Sequence, residues 1–98
     1  FKGYLPSEKN ERIQSLKALE QRSRQQNETQ LFIETPYRND ALLADAVENL
    51  HPETRLCVAT DLTLPTQEII SQTIAQWRKR KEMPNLKKRP TIFVLHAA

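Results

Sequence analysis

One glycine, Gly3, in 98 residues is the tightest constraint on this chain, since an average sequence of that length holds about seven. Loops that bring the backbone close to a cofactor rely on glycine, which alone tolerates left-handed dihedrals and close approach without steric cost. No Gly-rich loop exists here, so the chain by itself does not build a dinucleotide or nucleoside-triphosphate site of a familiar kind. Its length suits one domain with a modest core.

The apolar fraction of 38% and charged fraction of 28% describe a soluble globular chain on the polar side. No run approaches the roughly 18 apolar residues of a membrane span, and no basic-then-apolar leader opens the chain. A cytoplasmic location is the expectation, with no membrane partner. Cys57 is the single cysteine, so an intrachain disulfide is excluded, and its setting in Leu56-Cys57-Val58-Ala59 reads as a small core residue. His51 and His96 have no further ligand at metal-binding spacing, so no metal site is expected.

The formal net charge is +3, and seven of the 15 basic residues fall within positions 78 to 89, as Arg78-Lys79-Arg80-Lys81 and Lys87-Lys88-Arg89. This block suits a polyanion partner and equally suits a solvated helix end and loop. With no interleaved aromatics to stack on bases, a nucleic-acid role would rest on phosphate attraction.

The segment Leu31-Phe32-Ile33-Glu34-Thr35-Pro36-Tyr37-Arg38-Asn39 begins as a buried strand and then delivers Glu34, Thr35, Tyr37 and Arg38 at its end, where Pro36 stops the ladder. Polar groups at the carboxyl end of a strand are where α/β proteins place ligands. Spacing alone also admits, and more often signals, a plainer reading in which Glu34 caps the next helix and Arg38 is a solvated charge.

Taken in order, Phe1 to Leu5 reads as a short strand ended by Pro6. A chain that opens in mid-strand without an initiating methionine reads as part of a longer polypeptide. Ser7 is a suitable cap for a helix over Glu8 to Arg24 with Ile13, Leu16 and Leu19 on its inner face. A strand over Gln30 to Glu34 is followed by a helix over Asn39 to Leu50, ended before Pro52. Arg55 to Thr60 reads as another buried strand, and Asp61 to Thr66 as a loop. Gln67 to Gln72 reads as a strand, in competition with a helix over Glu68 to Gln76. The strand is preferred because Thr73 and Gln76 form a capping box that starts a helix over Ile74 to Arg80, with Trp77 in the core. Thr91 to Leu95 is apolar without alternation and predicts a central strand. The fold class is α/β (α+β): a mixed sheet of about four to five strands flanked by about three helices.

These motifs together resemble the C-terminal half of the tetrapyrrole methylase family, and within it the branch of the small-subunit rRNA methyltransferase I. Gly3-Tyr4-Leu5-Pro6 with Arg12 downstream resembles that branch's Gly-Phe-Leu-Pro and following arginine. Phe32-Ile33-Glu34-Thr35-Pro36-Tyr37-Arg38 is similar to Phe-Tyr-Glu-Ser-Pro-His-Arg, and Ala59-Thr60-Asp61-Leu62-Thr63 to Ala-Arg-Glu-Leu-Thr. Gln67-Glu68 stands where the branch has paired glutamates. Tyr37, Asp61 and Gln67 depart from the branch's residues, as does Pro90-Thr91-Ile92-Phe93 where it often has Gly-Glu-Phe.

The resemblance implies a two-domain enzyme, with the Gly-rich cofactor loop in an N-terminal domain outside this chain. It implies S-adenosyl-L-methionine as cofactor, with Glu34, Thr35, Ala59, Asp61, Leu62, Thr63, Pro90 and Thr91 on the cofactor side. Arg12 and Arg38 become the candidates for substrate phosphate contacts, because a guanidinium is a forked, permanently charged donor. Glu34 or Glu68 would be a base only for a hydroxyl acceptor, and a positioning role ranks above that for each. The implied acceptor is a ribose 2′-hydroxyl of 16S rRNA; the alternatives are a tetrapyrrole or other small molecule, or a non-catalytic RNA-binding or dimerisation module. The implied partners are small-subunit rRNA, an N-terminal domain of the same protein and a second copy, and the chain on its own is expected to be inactive.

Overall fold

The computed structural model describes residues 5–6, 8–34 and 37–97. The expected strand over Phe1 to Leu5 lies almost wholly outside the described residues, as does Ser7. Helix α1 spans Lys9–Gln26, and the cap is Glu8, whose carboxylate accepts from the Glu11 backbone N–H at 2.7 Å. The helix stops at Asn27, which takes the left-handed conformation and donates its N–H to the Ser23 carbonyl.

Strand β1 (Gln30–Ile33), helix α2 (Asn39–Asn49), strand β2 (Arg55–Thr60), strand β3 (Glu68–Thr73), helix α3 (Ile74–Lys79) and strand β4 (Thr91–His96) follow. The capping box at Thr73 and Gln76 forms as expected, with both reciprocal bonds present. The sheet order is β1-β4-β2-β3, so the last strand inserts between the first two and is central. Each pairing of the described strands is antiparallel.

The register sorts the strand residues into two faces. Phe32, Phe93, Val58 and Ile70 form one cross-strand row, and Gln30, Leu95, Leu56 and Gln72 the next. This inner face meets Leu16 and Leu19 of α1, Leu42, Leu43, Ala46 and Val47 of α2, and Ile74 and Trp77 of α3 in one core. Phe32 and Phe93 stack with ring centroids 5.5 Å apart and planes 4° apart. Trp77 is buried and donates its indole N–H to the Leu56 carbonyl at 2.9 Å, so it is a core residue, as its place on α3 suggests.

The lack of alternation in β4 implied burial on both sides, and the outer face departs from that. Leu31, Ile33, Ile92, Val94 and Cys57 are only half-buried, and Ile69 is 54% exposed. Among the described residues no helix packs over them, so the sheet has a filled inner side and an open apolar outer side.

Inner-face polar residues on α1 each find a partner, which is why a helix so short of leucine still docks. Glu20 accepts from the His51 N–H at 2.8 Å and the Thr54 hydroxyl at 2.5 Å, tying α1 to the turn after α2. Ser23 donates to the Glu28 carbonyl and accepts from the Ala97 N–H. No helix among the described residues is long and apolar enough to cross a membrane.

Candidate functional site

One end of the sheet collects polar side chains that are far apart in the chain. The pairing of Ile33 with Ile92 puts Glu34 beside Thr91, Thr91 pairs with Thr60, and Thr60 pairs with Glu68. Strand alternation points all four toward the helix side, so the apolar rows of Phe93 and Leu95 give way to a polar row at this end. Glu34, Thr60 and Thr91 are buried there, and the Glu68 side chain is half exposed.

Of the residues expected on the cofactor side, Glu34, Asp61, Pro90 and Thr91 converge here, with Leu62 and Thr63 on the loop that leaves β2 from the same end. Ala59 lies one residue back on β2 and faces the outer side of the sheet. Thr35 falls outside the described residues. Arg38 also belongs to this end: its guanidinium is 3.6 Å from the Glu34 carboxylate, and its side chain is 48% exposed. Glu34 does not cap α2, whose N-cap is Arg38 with no side-chain bond.

Arg12 is the exception, and its assignment as a substrate contact is corrected. It is 5% exposed, and its guanidinium meets the Asp45 carboxylate of α2 through two contacts of 2.7 Å. The stripe Arg12, Leu16, Leu19 and Ser23 runs along the inner side of α1, so the helical phase carries this arginine into the α1–α2 seam. It is a buried structural cation, out of reach of a surface phosphate.

Two residues that sequence reading did not single out hold the polar end together. Arg89, counted only within the basic run, donates Nε to Asp61 Oδ2 at 2.8 Å, Nη1 to the Asn85 carbonyl at 2.6 Å and Nη2 to the Thr66 carbonyl at 3.0 Å. Asn39, fully buried in the first turn of α2, donates Nδ2 to the Arg89 carbonyl at 2.8 Å. Its Oδ1 finds no donor among the described residues. The available signal was positional: an asparagine at a helix start and an arginine just before a strand-opening Pro90.

Asp61 sits at φ 52° and Thr63 at φ 69°, both left-handed and neither a glycine. The Asp61 N–H donates to the Pro90 carbonyl, its carbonyl accepts from the Leu64 N–H, and Thr63 donates to Gln67 Oε1 at 2.8 Å. The Arg89 hydrogen bond, then the one from Thr66, hold the Asp61 carboxyl below the usual aspartate range. The turn leaves Leu62 and Leu64 well exposed beside the polar row.

The basic block divides into engaged arginines and exposed lysines. Arg78 donates to the Val47 and Leu50 carbonyls at 2.7 Å each, closing the C-terminus of α2. Arg80 bonds the Glu82 carbonyl and lies 5.7 Å from the centre of the Trp77 ring. Lys79, Lys81, Lys87 and Lys88 are exposed, the last two on the loop that leads into Arg89 and the polar end.

No family model matches the chain, and no curated protein matches it. Among solved structures the chain is similar to the methyltransferase CobJ, with a TM-score of 0.56 at 17% sequence identity. The likeness covers 100% of this chain and 41% of that one, so this chain spans less than half the length of its structural neighbour. At that identity it is the fold that is shared: the four-stranded antiparallel sheet with three helices on one face is similar to part of the methyltransferase CobJ.

Proposed function

We propose that this chain is the cofactor- and substrate-wall domain of an S-adenosyl-L-methionine-dependent methyltransferase. The observation that carries this reading is the convergence of Glu34, Asp61, Pro90 and Thr91, from three separate segments, at one end of a sheet whose fold is shared with a methyltransferase. The residues there suit one side of such a cofactor. Asn39 Oδ1 is a buried acceptor in need of a donor, and Leu62 and Leu64 are exposed apolar side chains on the loop that leaves β2 at this end, a combination that suits a partly apolar ligand with a polar edge.

The cofactor would supply an electrophilic methyl group. What the chain supplies is placement: Glu34, braced by Arg38, and the Asp61–Thr63 turn form two fixed walls, and exclusion of water between them favours an in-line displacement. Glu34 and Glu68 are within this end, and each orients rather than removes a proton in this reading.

For the acceptor we favour RNA, at a ribose 2′-hydroxyl of 16S rRNA. Exposed Lys87 and Lys88 beside the polar end, together with Lys79, Lys81 and half-exposed Arg38, would attract phosphates. A tetrapyrrole or other small molecule is the second reading, and the withdrawal of Arg12 into the α1–α2 seam is the observation that favours it. The open apolar outer face supports a covering partner, either a cofactor-loop domain of the same polypeptide or a second copy.

The test is methyl transfer from labelled S-adenosyl-L-methionine by the full polypeptide that carries this chain. Thirty-S subunits from cells lacking the endogenous ribose methylase serve as acceptor. Label in 16S rRNA that is lost on Arg38→Ala establishes the RNA reading. Cofactor binding without label moves the acceptor to small molecules, and no cofactor binding removes the methyltransferase reading.

A further inference from the structure

We infer that Arg89 is a positioning residue that holds the left-handed exit of β2, Asp61 to Thr63, at a fixed distance from the start of α2. The inference rests on the proposed cofactor wall for its functional half, while its structural half stands on geometry alone. Arg89 is fixed at both ends. Its carbonyl accepts from Asn39 Nδ2 at 2.8 Å and from the Thr91 hydroxyl at 3.0 Å, which anchors it to α2 and β4. Its guanidinium reaches the Asp61 carboxylate and the Thr66 carbonyl across the turn, with Glu68 Oε1 3.7 Å away.

The turn needs such an anchor. Two non-glycine residues at positive φ within three positions are held only where surrounding contacts over-determine them. Gln67 secures Thr63 from within the loop, but Arg89 supplies the bonds that join this loop to another segment through side chains. A forked guanidinium is suited to that task, because it spans a carboxylate and two carbonyls in one plane. A lysine keeps the charge and loses the fork.

The clamp therefore runs Asn39 to Arg89 to Asp61, linking the start of α2 to the exit of β2. Loosening it lets the β2 exit relax toward ordinary dihedrals and moves Leu62 and Thr63 away from the position a cofactor would meet. The strands themselves do not depend on it.

The experiment is amide hydrogen exchange on this chain without ligand, comparing the parent with Arg89→Gln, Arg89→Lys and Asp61→Asn. Exchange at Thr63 and Leu64 is expected to rise at least tenfold in Arg89→Gln and Asp61→Asn, and less in Arg89→Lys. Val58 and Phe93 in the strands should be unchanged. Unchanged loop exchange overturns the inference, and so does an equal rise in loop and strands, which would make Arg89 a residue of the fold at large. Calorimetric titration of S-adenosylhomocysteine into the full polypeptide supplies the second readout, with at least tenfold weaker binding expected for Arg89→Gln. Equal affinity in parent and variant overturns the positioning role. No binding by the parent removes the proposed function and leaves the exchange result to decide the clamp.

Discussion

The two faces of one sheet differ more than their sequences do. Along β4, Phe93 and Leu95 enter a core closed by three helices, while their neighbours Ile92 and Val94 are equally apolar and stay half-exposed on the other side. Hydrophobicity alone does not locate a core. What fills the inner face is the set of elements whose polar residues also find partners there: Arg12 on Asp45, Glu20 on Thr54, Arg78 on the end of α2. Among the described residues, the outer face has the apolar side chains without a helix latched over them.

That contrast can be broken by substitution. Phe93→Ala removes a fully buried ring and its stack with Phe32, and chemical denaturation should show a loss of roughly 3–5 kcal/mol. An effect below about 1 kcal/mol would mean that the inner face is not the core. Arg12→Ala leaves Asp45 in the α1–α2 seam with, among the described residues, only Lys9, 3.6 Å away and largely exposed, to balance it. We expect about 3 kcal/mol of destabilisation there, and an Arg12→Met variant should recover part of it.

Ile69→Thr on the outer face should shift stability of this chain by no more than about 0.5 kcal/mol. Sedimentation velocity sharpens the point: if a second copy covers that face, the variant loses self-association, and a stability loss approaching that of Phe93→Ala would erase the distinction between faces. The smallest effect concerns pH. Because the Asp61 carboxyl is held below its ordinary value of about 3.9, the stabilisation it gives is complete above that value and is lost as pH falls through its lowered folded value. Loop amides Thr63 and Leu64 should therefore keep their protection at pH 5 and lose it in more acidic solution before the strands unfold. In Asp61→Asn this acid step is absent.

Much of the fold was legible because local signals agreed with each other. The Arg55 to Thr60 strand was bounded as observed, and the capping box at Thr73 resolved an otherwise ambiguous segment into β3 followed by α3. The central place of β4 was legible too, although its uniform apolarity overstated its burial. The polar latches were not legible. The capping of α1 by Glu8 turns on a single hydrogen bond, and the burial of Arg12 depends on Asp45, 33 positions away. A motif match placed Arg12 among ligand contacts, whereas helical phase, counted from Leu16 and Leu19, already set it on the inner stripe. At the polar end, the strand exits could be read from composition, but Asn39 and Arg89 act across distances of 50 and 28 positions that no local pattern encodes.

The seam between α3 and the sheet carries one more consequence. Trp77 is the sole tryptophan, its ring is buried, its N–H is engaged by Leu56, and a guanidinium lies near the ring. The protein thus contains its own fluorophore at the joint where a six-residue helix docks. Its emission should be blue-shifted and shielded from aqueous quenchers while α3 is seated, and a red shift would time the undocking of that helix without any attached dye.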